Sequence, residues 1–195
     1  MNFRDLGDLV ILTLQQPALA VRAIRDARLS RPARWMVLAL AVSLSTLLAG
    51  LARLAFPMPE TEPLAQLFAS PVTLASVQLV ALVISAAAVT MIGRAFGGQG
   101  DFDDALLLIA WIELILVGLQ AMQLVMMLLL PVSGTLISIV SLGISIYLTV
   151  AFTKALHGFT STPKVALGLI GGIFLMGFVL SILAAAFGIL PEVTP

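Results

Sequence analysis

The 195-residue chain is 61% hydrophobic and only 10% charged, with ten basic and ten acidic residues, and its mean hydropathy is +1.14. Soluble domains run roughly 45–50% apolar and about 25% charged, so this composition belongs to a chain whose solvent is lipid. The absence of cysteine excludes disulfides, thiol catalysis and thiolate metal sites, the one histidine, His157, cannot build a metal centre alone, and balanced charge gives no global field for nucleic acid.

The opening stretch MNFRDLGDLVILTLQQP is not a secretory signal, since it carries acidic residues near its start and no small-residue cleavage site. Phe3, Leu6, Val10 and Leu14 recur at helical spacing, with Asp5, Asp8 and Gln15 mostly elsewhere. Gln16-Pro17 opens a second helical stretch, along which Arg22, Arg25 and Arg28 form one basic edge. Residues 1–34 therefore read as one or two amphipathic helices lying on the cytoplasmic membrane face. Anionic lipid headgroups are the expected partners of Arg22, Arg25 and Arg28, at about 1 kcal/mol for each basic residue near the surface.

Five apolar runs follow, each long enough or nearly so for a hydrocarbon core that needs about 20 helical residues. They cover 35–51 (extendable to 56 if Arg53 snorkels), 72–92, 105–130, 135–153 and 165–190. Backbone groups in lipid must be satisfied within their own segment, so each run is expected to be a helix. Of the ten basic residues, only Arg53 falls on one side of these runs; Arg4, Arg22, Arg25, Arg28, Arg31, Arg34, Arg94, Lys154 and Lys164 fall on the other. By the positive-inside rule the amino terminus is cytoplasmic and the carboxyl terminus outside. The expected fold class is all-α: a polytopic bundle of five transmembrane helices over 35–190, with an external tail at 191–195. Outer connections are expected at 57–71, with a short surface helix at 64–68, and at 131–134.

Between the second and third runs lies GRAFGGQGDFDDALLLIAWIE, 93–113, whose first half has the look of a phosphate loop. A Walker loop needs a lysine after its glycines, and a dinucleotide fingerprint needs a preceding strand. Here the glycines are followed by Asp101, Asp103 and Asp104 and preceded by a membrane helix, so no nucleotide is expected. A bend accounts for the residues. Gly97, Gly98 and Gly100 allow a tight exit from one helix, and Asp101 caps the next. Asp103 and Asp104 complement its positive end, and Arg94 the negative end before it. The bend at 153–169 repeats this logic with Lys154, Gly158 and Thr162-Pro163. RAFGG lies over KALHG sixty residues on, so the two flanking hairpins read as an internal repeat.

Together these residues resemble the Yip1 family, in particular its bacterial branch. An element GG-x-G-x-F-x-x-A-L is matched by Gly97, Gly98, Gly100, Phe102, Ala105 and Leu106. An element HG-x-(S/T)…K-x-A is matched by His157, Gly158, Thr160, Lys164 and Ala166. The resemblance covers roughly 17–190. It implies a five-span, non-enzymatic integral membrane protein of the bacterial inner membrane.

Glu113 needs separate explanation, because a charged carboxylate near a helix centre in the bilayer costs about 2.5–3.5 kcal/mol unless it is paired or meets water. Gln120 and Gln123 lie close to the same face, and Gln78, Ser138, Ser141 and Ser145 are possible partners. Such a stripe reads either as interhelical glue or as the lining of a proton or solute pathway. Trp111 and Tyr147 are expected between helices, their polar tips seeking partners. No nucleophile–base pair is legible and no cofactor or metal is expected. Two readings result. One is a protein that organises the membrane or scaffolds other membrane proteins, as a homo-oligomer or with partners. The other is a small transporter or channel built on Glu113, Gln120 and Gln123.

Overall fold

A computed structural model describes residues 3–57, 70–130 and 133–186. Seven helices make up its secondary structure, with no strand among the described residues: α1 (Phe3–Gln15), α2 (Pro17–Asp26), α3 (Arg31–Ala55), α4 (Pro71–Ala95), α5 (Phe102–Leu129), α6 (Ser133–His157) and α7 (Thr162–Ala186). The expected surface helix at 64–68, residues 131 and 132 of the expected connection at 131–134, and the tail at 191–195 lie outside the described residues. Among the described residues, four helical segments are long and apolar enough to cross a membrane, namely α3, α4, α5 and Gly134–His157 of α6, with mean hydropathies of 2.0–2.2. At 1.5 Å per residue, 25 residues reach about 37 Å, beyond a hydrocarbon core of roughly 30 Å. α7 holds the place of the fifth expected run.

Local chemistry sets the helix starts. Ser30 and Ser70 accept hydrogen bonds from Ala33 N–H (3.4 Å) and Thr73 N–H (3.2 Å), and a proline follows each in the first turn. The cap and Pro32 thus begin α3 at Arg31, ahead of the apolar run expected from residue 35.

α5 is the central helix, packing against α2, α3, α4 and α6, while α7 lies on α6 and α4. Burial is concentrated at one end of the bundle. Leu38 and Val42 of α3, Ala86 and Val89 of α4, Leu106 to Leu108 and Ile112 of α5, and Leu148, Phe152 and Leu156 of α6 form a single core there. The amino-terminal helices belong to this core. α2 sinks Ala20, Val21 and Ile24 into it, the i, i+1, i+4 stripe of an amphipathic helix.

α1 divides its apolar residues between the surface and the core. Leu6 and Leu14 look outward, as does Ile11, whereas Leu9 and Val10 pack on the core and Thr13 is 0% exposed. The cause is a polar tie. Trp111 Nε1–H donates to Thr13 Oγ1 at 3.0 Å, and the Thr13 hydroxyl donates to Leu9 C=O at 2.7 Å. A buried indole N–H requires an acceptor, and Thr13 is the one supplied. Trp111 accordingly packs between helices; Tyr147, by contrast, faces outward at 47% exposure.

Replacing Thr13 by Val keeps the shape but strands the Trp111 N–H, at a cost of about 1–3 kcal/mol. Amide exchange across α1 in detergent micelles is expected to speed up accordingly. Leu14→Ala, on the outward face, is expected to leave exchange within the roughly 0.5 kcal/mol typical of surface changes. Equal effects from the two substitutions would remove Thr13 as the anchor.

Candidate functional site

The α4–α5 turn is assembled from backbone bonds first. Gly98 N–H bonds Gly93 C=O at 2.8 Å and Gly97 N–H bonds Arg94 C=O at 2.9 Å, the paired bonds of a Schellman cap. Gly97 sits at φ +83°, a left-handed conformation costly to residues with a Cβ. Asp101 then opens α5, its carboxylate accepting Asp104 N–H at 2.8 Å. α6 ends the same way, with Phe159 N–H on Lys154 C=O at 2.9 Å and Gly158 at φ +72°. The positive-φ glycines are therefore Gly97 and Gly158, so the register that lays Gly98 on Gly158 slips by one residue at the turn. Nor is Thr162 the cap. Val165 N–H reaches back to Ser161 C=O, and the Thr162 hydroxyl accepts from Lys154 Nζ at 2.9 Å.

Into this turn projects His157, 4% exposed at the end of α6. Gly100 N–H donates to its Nδ1 at 3.1 Å, and its Nε2 lies 3.1 Å from Val89 C=O. Because Nδ1 accepts, the ring proton is on Nε2, donated to Val89. Phe159 stacks on the ring with centroids 5.5 Å apart. Three glycines form the wall: a Cβ on Gly93 or Gly98 would overlap the imidazole, and one on Gly100 would come within 2.7 Å of it. The two family elements, at 97–106 and 157–166, thus meet as the two sides of one clasp.

The carboxylates of the turn are gripped from the other side. Asp104, 6% exposed, accepts Arg25 Nε at 2.6 Å and Arg34 Nη1 at 2.7 Å, while Asp103 accepts Arg31 Nε at 2.6 Å. Arg94 Nε donates to Gly100 C=O at 2.9 Å. Arg25 is therefore committed to Asp104. Arg22 and Arg28 remain exposed on a polar cavity of about 630 Å³ that also takes in Arg34 and Asp101. Each of these carboxylates and ring nitrogens is engaged by another group. Phe102 packs at the edge of the core, and Thr160 and Lys164 lie on a second cavity of about 520 Å³ between the end of α4 and the start of α7.

The membrane-embedded polar residues divide into two ties. Gln78 Nε2 donates to Glu113 Oε1 at 2.7 Å and to Ser45 Oγ at 3.0 Å, and Ser45 O–H donates to Gln120 Oε1 at 3.3 Å. That chain joins α3, α4 and α5. Gln123 turns away from it and donates to Ser138 Oγ at 2.7 Å and Gly134 C=O at 3.2 Å, joining α5 to α6. Ser141 Oγ is buried with no partner among the described residues. Glu113 lines neither of the two cavities described above.

Sequence reasoning missed Gly93, Val89, Thr13 and the guanidinium partners of Asp104. A glycine inside an apolar helix was the available signal for Gly93, since that residue weakens a helix unless a neighbour approaches closely. The arginines at 25, 31 and 34 gave no comparable signal, because their spacing served equally well for a lipid-facing edge.

Gly98→Ala is expected to cost about 1–3 kcal/mol through overlap with the ring. In a His157→Ala background most of that cost should vanish, a non-additivity readable as melting temperatures of the full chain in detergent. Additive effects would show that the ring and the glycine wall are not one unit. For the carboxylates, Asp104→Asn is expected to cost about 1.5–3 kcal/mol, as a buried charge-assisted pair. Asp103→Asn should cost below about 1 kcal/mol and depend on salt, since Arg31 is exposed. Denaturant titrations at low and high salt check this ordering.

The Yip1 domain family matches residues 11–184. No curated protein and no solved structure matches the chain. The match takes in both turns, the His157 clasp and the polar ties across the bundle. This multi-pass membrane protein belongs to the Yip1 family.

Proposed function

We propose that the protein is a non-enzymatic organiser of the membrane, which scaffolds partner membrane proteins or further copies of itself. The observation that carries this reading is the use made of the residues in and around the two turns. Gly93, Gly98, Gly100 and His157 clasp α4, α5 and α6, while Asp104 ties in α2 and α3 through Arg25 and Arg34. Residues spent on fixing helices to one another give a rigid end from which outward apolar faces are displayed, Leu6, Ile11 and Leu14 of α1 among them. In this proposal α7 is the fifth crossing, the Arg- and Lys-rich end is cytoplasmic, and the carboxyl terminus is outside. The gathering of Arg25, Arg31, Arg34 and Arg94 around one turn supports that sidedness. Resemblance to the bacterial branch supports the inner membrane as the location. Arg22 and Arg28, exposed beside α2, are the residues suited to anionic headgroups.

A second reading, a small transporter or channel, rests on Glu113. Its carboxylate sits well inside α5, and an ionisable group at that depth is a functional candidate by default. Its bond to Gln78, and the links from Gln78 to Ser45 and Gln120, favour a structural tie instead. Purified protein in liposomes separates the two. The organiser reading expects no ion or solute flux, an unchanged result with Glu113→Gln, and a defined complex on crosslinking in native membrane. Flux that Glu113→Gln abolishes would replace it with the transporter.

A further inference from the structure

At the basic end of the bundle, α4 and α7 diverge around the cavity of about 520 Å³, within the usual range for a ligand site. Its wall is mixed in a particular order. Lys164, Thr160 and Ser161 stand at the α6–α7 turn, and Phe96, Leu167 and Gly168 continue along the helices. The helices close up beyond it, where a Cβ on Gly172 would overlap Ile92, whereas one on Gly168 would have Phe96 no nearer than 3.7 Å. Phe96 and Leu167 are both exposed, so the slot opens sideways toward the surface that lipid would cover.

Charge completes the description. At this end the carboxylates of Asp103 and Asp104 are taken by Arg25, Arg31 and Arg34, and Lys154 is turned onto the Thr162 hydroxyl. Lys164, on the rim of this slot, has no hydrogen bond or ion pair among the described residues, while Arg22 and Arg28 face the other cavity. A slot with an unmatched ammonium and two hydroxyls at its polar edge, and aromatic and aliphatic walls beyond, is complementary to an anionic amphiphile. A soluble anion would leave the apolar portion unfilled, and a zwitterionic lipid would bring its own headgroup cation to an edge that is already basic.

We propose that this slot is a binding site for one anionic phospholipid. Its phosphate lies against Lys164, Thr160 and Ser161, and an acyl chain runs past Phe96 and Gly168. Basic pockets between helices on the cytoplasmic side are a recurrent setting for such headgroups. The site is distinct from the Arg22 and Arg28 surface, and it stands or falls independently of the organiser reading.

Native mass spectrometry of the full chain, released from micelles carrying phosphatidylglycerol or phosphatidylcholine of matched chains, tests it. The wild type is expected to retain one phosphatidylglycerol in preference to phosphatidylcholine. Lys164→Ala should reduce that preference about fivefold, the worth of one basic residue at the surface. Gly168→Leu, which fills the slot, should reduce retention of both lipids, and Gly168→Ala serves if the larger side chain prevents folding. Arg22→Ala with Arg28→Ala should leave the retained lipid in place. No retained lipid, a preference untouched by Lys164→Ala, or one removed only by the Arg22 and Arg28 changes would overturn the proposal. So would a dimer that excludes lipid and is lost with Gly168→Leu, because the slot would then belong to a second copy.

Discussion

A tight turn between two membrane helices exposes backbone groups that no helix can satisfy, and in this chain that turn also carries three carboxylates. The physics of the bundle follows from how those groups are met. Gly100 N–H goes to the His157 ring on α6, Gly100 C=O to Arg94 on α4, and Asp104 to Arg25 on α2 and Arg34 on α3. An unmet polar group in low dielectric costs several kcal/mol, so each of these helices is held where its donor or acceptor can reach. Helices already in lipid gain little from burying apolar surface against each other, which leaves packing and polar ties to decide their arrangement. A single turn to which the surrounding helices are bonded makes that arrangement specific.

The same constraint explains why the amino-terminal helices are part of the fold. α2 brings Arg25 to Asp104 while its Ala20, Val21 and Ile24 face enters the core, so charge and hydrophobic burial act on the same ten residues. α1 is then close enough for Thr13 to meet the Trp111 N–H. Leu6, Ile11 and Leu14 are left facing out. Farther along the bundle the ties thin to the Ser45, Gln78, Glu113 and Gln120 chain and the Gln123 to Ser138 bond. Polar ties are therefore denser at one end of the bundle than at the other.

Much of the architecture could be read from residue order, because hydropathy in lipid is a coarse and reliable signal. The long apolar helices, the bend at 97–101, the cap at Asp101 and the helical nature of residues 3–26 all rest on local chemistry of adjacent residues. What could not be read was which polar groups would meet across the fold. Asp104 and Arg25 are distant in sequence, and a basic edge on an amphipathic helix has the same pattern whether it faces lipid or a buried aspartate. The buried face of α1 was hidden for a related reason. Periodicity marks Leu6, Val10 and Leu14 as one apolar stripe, and it carries no sign that Thr13 beside that stripe would be buried against Trp111. Gln120 and Gln123 likewise fall near one helix face, and a difference of under a turn still sends them to opposite neighbours.

Why the group in the turn is an imidazole follows from the valences around it. The gap between Gly100 and Val89 needs one acceptor and one donor at opposite ends of a flat, rigid body, and the Nε2–H tautomer supplies both. A lysine would offer donors only and a carboxylate only acceptors. An amide carries both, but without an aromatic face to stack on Phe159 and with more freedom to lose on burial. Flatness in turn dictates the glycines: a ring this close to the backbone at residues 93, 98 and 100 leaves no room for a Cβ at any of them. The glycine-rich turn and the distant His157–Gly158 pair each look like ordinary turn chemistry in isolation, and only the dimensions of the ring between them make the two a single device.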